Sequence, residues 1–191
     1  MINDDKIPPG QYYSNKWIIY ASLGIPEIEL ENWNLKIKGN IENENIFTYE
    51  NLEDLSKDII IENFHCVTRW SIKKVKWQGI KLRDIINKSK PKDNSEYVMF
   101  HCNDGYTTII PFDDAIEQKS MIALKINDEK LSIEQGFPVR VVIPQLYGWK
   151  SAKWLNKIEI LTKYQDGFWE LEEHGGYHNR GKVDKEERFK Y

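Results

Sequence analysis

The chain has little cysteine: Cys66 and Cys102 are the only two in 191 residues. Two cysteines make no disulfide framework, and no Cys-x-x-Cys pair is present, so neither a disulfide scaffold nor a zinc finger is expected. Long apolar runs are missing as well. No stretch approaches the roughly 18 apolar residues that a membrane-spanning helix requires. An excess of one charge is also missing, because 27 Lys and Arg against 30 Asp and Glu give a formal net charge of −3. That balance argues against nucleic acid or an anionic membrane as the main partner. Residues 1–6 hold neither a twin-arginine pair nor an apolar signal core, which sets the expectation of a cytoplasmic protein with reduced thiols. There is no internal repeat, low-complexity tract or clear linker.

What is present is a packed composition, 40% hydrophobic and 13% aromatic, at a length that suits one domain. Residues 1–16, with Pro8-Pro9-Gly10, read as an extended arm. Trp17 to Tyr20 is either a first short strand or a segment laid over the core. Alternation over Trp33 to Gly39 predicts a half-buried strand, and Thr48 predicts the cap of a helix running to Leu55. Ile59-Ile60-Ile61 reads as a buried strand. Gly79 reads as punctuation before a short helix over Leu82 to Ile86. Tyr97 to Cys102 and Tyr106 to Ile110 predict a hairpin around Asn103-Asp104-Gly105, followed by a short helix from Pro111. Further strands are expected over Met121 to Ile126, Val139 to Ile143 and Trp154 to Leu161. Mixed strands with short helices point to one α+β domain, expected over 17–166, with 167–191 as a tail packed on it.

Two stretches carry candidate chemistry. In Phe64-His65-Cys66-Val67-Thr68-Arg69-Trp70-Ser71 the strand ends on a cysteine beside a histidine and three residues before an arginine. Basic neighbours favour a thiolate, which is both nucleophile and metal ligand; a buried core cysteine is the plainer alternative. The second stretch joins Arg140 to Lys150-Ser151-Ala152-Lys153. Three cations, a hydroxyl and loop amides suit a phosphate, although a solvated basic loop has the same composition. His65-Cys66 and His101-Cys102 together do not make a zinc site, since side chains alternate faces along a strand and each dipeptide offers one ligand.

FHCVTRWS, followed by Trp77-Gln78-Gly79-Ile80-Lys81-Leu82-Arg83-Asp84, resembles the molybdenum-ligating region of the sulfite oxidase family. It is most similar to the small, haem-free bacterial sulfite oxidase-like oxidoreductases. Pro138 to Pro144 and Tyr147-Gly148-Trp149-Lys150-Ser151-Ala152-Lys153-Trp154 resemble the family segment that grips the pyranopterin and its phosphate. The resemblance runs from about Pro8 to Tyr191. It implies a sulfite oxidase-type molybdopterin-binding domain with mixed β-sheets, and Cys66 as the metal ligand. It further implies His65, Cys102, Gln135, Arg140, Ser151, Ala152 and Lys153 as cofactor contacts. Cys66, Arg69 and Tyr147 are the catalytic candidates it suggests, with Arg180 or His178 from the tail near the substrate mouth.

The activity so implied is oxygen-atom transfer on a small sulfur- or nitrogen-oxide substrate by a molybdenum-cofactor oxidoreductase. No haem, flavin or nicotinamide motif is visible, so an external electron donor or acceptor protein is expected. The chain lacks the Arg-rich sequence that animal sulfite oxidases carry after the ligand cysteine, which leaves sulfite itself unassigned. The rival readings are a non-catalytic cofactor carrier and a thiol enzyme that uses Cys66 without metal.

Overall fold

A computed structural model describes residues 7–183. In chain order its strands are β1 (Tyr12–Tyr13), β2 (Leu35–Gly39), β3 (Asn45–Phe47), β4 (Asp58–His65), β5 (Trp70–Lys81) and β6 (Tyr97–Cys102). They continue with β7 (Thr107–Pro111), β8 (Met121–Ile126), β9 (Glu129–Lys130), β10 (Arg140–Val142) and β11 (Leu155–Leu161). Three short helices, α1 (Tyr49–Leu55), α2 (Leu82–Lys88) and α3 (Phe112–Ile116), lie between them. Among the described residues no helix is long and apolar enough to cross a membrane.

The strands form two mixed sheets. One has the order β1-β5-β8-β10, with β4 also on β5 and β9 on β8; the other has the order β3-β2-β11-β6-β7. β1 runs parallel to β5 and β2 parallel to β11, while the remaining pairs are antiparallel. The main core lies between the sheets, with Leu35, Ile37, Phe100 and Ile158 from one meeting Ile122, Leu124 and Val141 from the other. Alternation along β8 and β10 sends their other residues, Met121, Ala123 and Val142, to a second cluster with Phe64, Trp70 and Trp77. Arg140 shares the parity of Val142, and its guanidinium lies over the rings of Phe64 and Trp77 at 5.4 and 5.2 Å. Strand alternation thus puts one cation on the aromatic side of the sheet.

Local signals act as their chemistry dictates. The Thr48 hydroxyl accepts from the Asn51 N–H while the Asn51 side chain accepts from the Thr48 N–H, so α1 begins with a reciprocal cap. β6 turns into β7 through Gly105, at φ 86°, a conformation that costs glycine little.

Two expectations need correction. Ile59 and Ile61 are 54% and 58% exposed, because β4 pairs only with β5 and shows one face to solvent; a β-branched run marks a strand but not its burial. Gly79 does not interrupt the chain but sits inside β5. A Cβ there would fall 1.9 Å from the Ile122 carbonyl oxygen, so its missing side chain is what lets β8 approach. Within the arm, Tyr12 and Tyr13 pair with Trp70 and Ser71. Trp17 to Tyr20 forms no strand; Trp17 packs edge-on against Trp70 and Trp77, at 5.7 and 5.9 Å.

Candidate cofactor cleft

β4 and β5 are joined by residues 66–69, and this loop presents Cys66. The Cys66 N–H donates to the Trp70 carbonyl (2.9 Å) and the Arg69 N–H to the Cys66 carbonyl (3.0 Å), which makes a tight turn with Arg69 in the left-handed region at φ 78°. The N-terminal segment clamps it from outside. Gln11 Nε2 donates to the Cys66 carbonyl (2.9 Å), and the Tyr12 N–H donates to the Arg69 carbonyl (2.8 Å).

Behind the loop the same Gln11 fixes a proton arrangement. Its Oε1 accepts from Ser71 Oγ at 3.0 Å, and Ser71 Oγ lies 2.8 Å from His65 Nδ1. A hydroxyl has one proton, and Gln11 takes it, so Nδ1 carries the hydrogen in the second bond. Burial pulls the His65 pKa down to about 4, so the imidazole is neutral at pH 7. His65 therefore gives Cys66 no cationic neighbour, contrary to the expectation from sequence, and does not line the cleft.

Cys66 opens onto a cleft of about 1020 Å³, its open mouth included. Gln135, Arg140, Ser151, Ala152 and Lys153, all distant from Cys66 in sequence, line the same cleft. Arg140 is 5% exposed; its Nη1 donates to the Gln135 carbonyl (3.1 Å) and its Nη2 to the Ser151 carbonyl (3.0 Å). Burial lowers its pKa to about 10, still a cation at neutral pH. Ser151 Oγ accepts from the Ile143 N–H (3.1 Å), which leaves its own O–H for the cleft. The Lys153 ammonium donates to the carbonyls of Tyr20 (2.7 Å) and Glu134 (3.1 Å). Burial first, and then the Arg140 charge, lower it from 10.5 to about 8. Gly136, at φ 110°, lets these stems converge: a Cβ would lie 3.0 Å from Lys153 Cβ and 3.2 Å from Arg140 Cβ.

Other expected residues lie elsewhere. Arg69 is exposed and not on the cleft wall. Tyr147 is buried in a stack with Trp149, ring centres 5.7 Å apart. Cys102 is buried at the end of β6, behind the cleft wall rather than on it, and burial pushes its thiol pKa well up. Lys150, grouped with Arg140 and Lys153 on sequence, points inward to the Ile109 carbonyl (2.8 Å) and Glu170. From the tail it is Trp169 and Tyr177 that reach the cleft, whereas Arg180 lies 3.7 Å from Asp114. The segment Glu186 to Phe189 lies outside the described residues.

Some parts of the site carry no sequence signal: Gln11, which holds the Cys66 carbonyl from behind, and the strap of residues 17–23 forming one wall of the cleft. The strap has no periodicity to read, and a glutamine in an arm has no motif around it.

Taken as chemistry, the cleft combines one soft sulfur with two cations and a hydroxyl. Soft thiolate suits molybdenum bonded to further sulfur, and a guanidinium with an ammonium suits a phosphate. These residues fit a pterin cofactor carrying both groups. The family described as "Oxidoreductase molybdopterin binding domain" matches residues 22–169. The chain is 35% identical over 185 residues to "Uncharacterized oxidoreductase YuiH" of Bacillus subtilis (strain 168), covering 96% of this chain and 92% of that one. It is 28% identical over 169 residues to the protein-methionine-sulfoxide reductase catalytic subunit MsrP of Campylobacter jejuni, covering 78% and 57%. With the mitochondrial sulfite oxidase of Drosophila melanogaster it shares 26% over 196 residues, covering 87% of this chain and 34% of that one. The chain thus spans less than two thirds of these last two relatives. The fold also matches the sulfane dehydrogenase SoxCD from Paracoccus pantotrophus at a TM-score of 0.67, with 19% identity over 73% of this chain and 41% of that one.

Fold and cleft together define a molybdopterin-binding oxidoreductase domain. The chain belongs to the oxidoreductase molybdopterin-binding domain family, as a small sulfite oxidase-like protein of the bacterial type, and is an enzyme dependent on the molybdenum cofactor.

Proposed function

We propose that, with its cofactor bound, the protein would carry out oxygen-atom transfer on a small neutral S-oxide or N-oxide, exchanging electrons with an external redox protein. In this reading the Cys66 thiolate binds the metal. Arg140, Ser151, Lys153 and the main chain at Ala152 hold the phosphate end, with Gln135 beside them. The cofactor, when bound, supplies the oxygen-accepting and electron-accepting centre.

What the chain supplies is position, charge and dryness. Reduction of a sulfoxide consumes two electrons and two protons and yields a thioether and water; the electrons come one at a time from the partner. Around Cys66 the walls are Trp17, Phe64, Val67 and Trp70, which exclude water from the reacting centre. Among the described lining residues the cations are Arg140 and Lys153, both taken by the phosphate in this reading. A sulfite dianion would find no further cation there, whereas a neutral oxide has no net charge to desolvate and loses less than a dianion on entering an aromatic pocket. The observation that carries the proposal is the convergence of Cys66 with Arg140, Ser151 and Lys153 on one cleft.

The test is protein purified from a host that makes the cofactor. About one molybdenum per chain is expected, with turnover of a dialkyl sulfoxide or N-oxide by a reduced dye and little oxidation of sulfite. Full-occupancy zinc without molybdenum defeats the reading. Bound molybdenum with no turnover of any oxide makes the protein a carrier, and sulfite oxidation as the fast reaction reverses the substrate assignment.

A further inference from the structure

We propose that Thr68 is a positioning residue whose hydroxyl donates a hydrogen bond to the Cys66 sulfur and thereby sets the strength of the sulfur–metal bond. The inference rests on the reading of Cys66 as the metal ligand. Thr68 Oγ1 lies 3.1 Å from Cys66 Sγ. In the free thiol either atom can donate, but a metal-bound thiolate has no proton, so the hydroxyl becomes the donor.

Three features make this a built contact on an otherwise exposed loop. The turn that brings residue 68 back over residue 66 is held by Cys66 N–H to Trp70 and Arg69 N–H to Cys66, and from a distant segment by Gln11 and Tyr12. Threonine is β-branched, so its hydroxyl is confined to few rotamers. Thr68 and Cys66 both line the cleft, so the contact lies at the wall that would receive the metal.

A hydrogen bond to a ligand sulfur draws charge from it, and such bonds are among the levers that set the potential of sulfur-ligated metals. The oxidised metal depends most on donation from sulfur, so weakening that donation favours the reduced state. With the hydroxyl in place the metal potential is higher, and the sulfur-to-metal absorption lies at higher energy, than without it.

The experiment compares the holoenzyme with Thr68→Val, which keeps the branched shape and removes the hydroxyl, and with Thr68→Ser, which keeps the hydroxyl. Visible absorption and a potentiometric titration are read at matched molybdenum content. Thr68→Val is expected to shift the absorption to lower energy and the potential downward, with Thr68→Ser close to wild type. A valine variant at wild-type energy and potential overturns the inference, and so does a serine variant displaced as far as valine. If the valine variant loads no molybdenum, Thr68→Ala carries the comparison under the same criterion. Cys66→Ser is the control that separates the two ideas: if its absorption spectrum is unchanged from wild type at matched molybdenum content, Cys66 contributes no sulfur-to-metal band, the ligand assignment has failed and the role of Thr68 falls with it.

Discussion

Lys150 and Glu170 form an ion pair with both side chains fully buried. Desolvating two charges costs several kcal/mol for each, and attraction offsets this only when further hydrogen bonds complete the site. Further hydrogen bonds accompany the pair: the Lys150 ammonium also donates to the Ile109 carbonyl, and Glu170 Oε1 accepts from Trp149 Nε1 at 3.1 Å and Thr108 Oγ1 at 3.4 Å. Burial lowers the Lys150 pKa, and the Glu170 charge opposes that shift. The pair ties residue 170 to the loop whose next members, Ser151 to Lys153, line the cleft. Trp169, one residue before Glu170, lines it too.

Glu170→Gln keeps the shape but leaves a buried ammonium uncompensated, so a loss of about 3–5 kcal/mol is expected. Lys150→Met combined with Glu170→Leu removes both charges and is expected to be less damaging than Glu170→Gln alone. Urea denaturation of the three proteins checks this. A single variant within about 1 kcal/mol of wild type would put the pair among weak surface bridges, against its burial.

Arg140 holds two main-chain carbonyls with its fork. Arg140→Ala is expected to lower stability by about 1.5–3 kcal/mol for each bond lost, and to let the cofactor dialyse away. Arg140→Lys keeps a charge without the fork and should fall between the two. Cofactor content unchanged in Arg140→Ala after dialysis would remove Arg140 from the phosphate site.

Sequence legibility followed the range of the physical cause. α1 was readable because Thr48 is a local cap at its start, and the β6–β7 hairpin because Asn103-Asp104-Gly105 marks its turn. The cleft was readable through two contiguous stretches, around Cys66 and around Ser151. What was hidden depends on partners far along the chain. Nothing in Gly79 announces that Ile122 needs its space. Lys150 and Lys153 look alike in one loop, yet one meets Glu170 and the other the Tyr20 carbonyl. Gln11 acts only because β1 lies beside β5.

Lys153 gives a pH test with two opposite signs. Its folded pKa, about 8, lies below the ordinary 10.5. Between those values the unfolded chain binds more protons, so stability of the cofactor-free protein rises with pH over that window. Below pH 8 the whole cost of the buried charge is present. A phosphate favours the charged form, so cofactor retention is expected to hold up to about pH 8 and to weaken above it. Lys153→Met should flatten both trends, read by urea midpoints and by molybdenum content after dialysis. Retention rising with pH in wild type would sink the phosphate role.

The two cysteines give the last test. Cys66→Ser exchanges a soft thiolate for a hard hydroxyl that stays protonated near neutral pH unless metal forces the proton off. Arg140, Ser151 and Lys153 would still grip the cofactor, so the fold should survive and some cofactor stay bound. The cysteine-sulfur-to-metal absorption and oxide turnover should both vanish, while any absorption from the cofactor's own sulfur remains. Cys102 is 6% exposed, is absent from the cleft wall and has its thiol pKa raised by burial. It is therefore a small core residue in a dry place. Cys102→Ser buries a hydroxyl there, at a cost of about 1–3 kcal/mol if that group finds no partner, and should leave absorption and turnover intact. Absorption and dye-coupled turnover of both variants decide the matter: a dead Cys102→Ser beside an active Cys66→Ser would move the metal to the other cysteine, and with it the whole reading of the cleft.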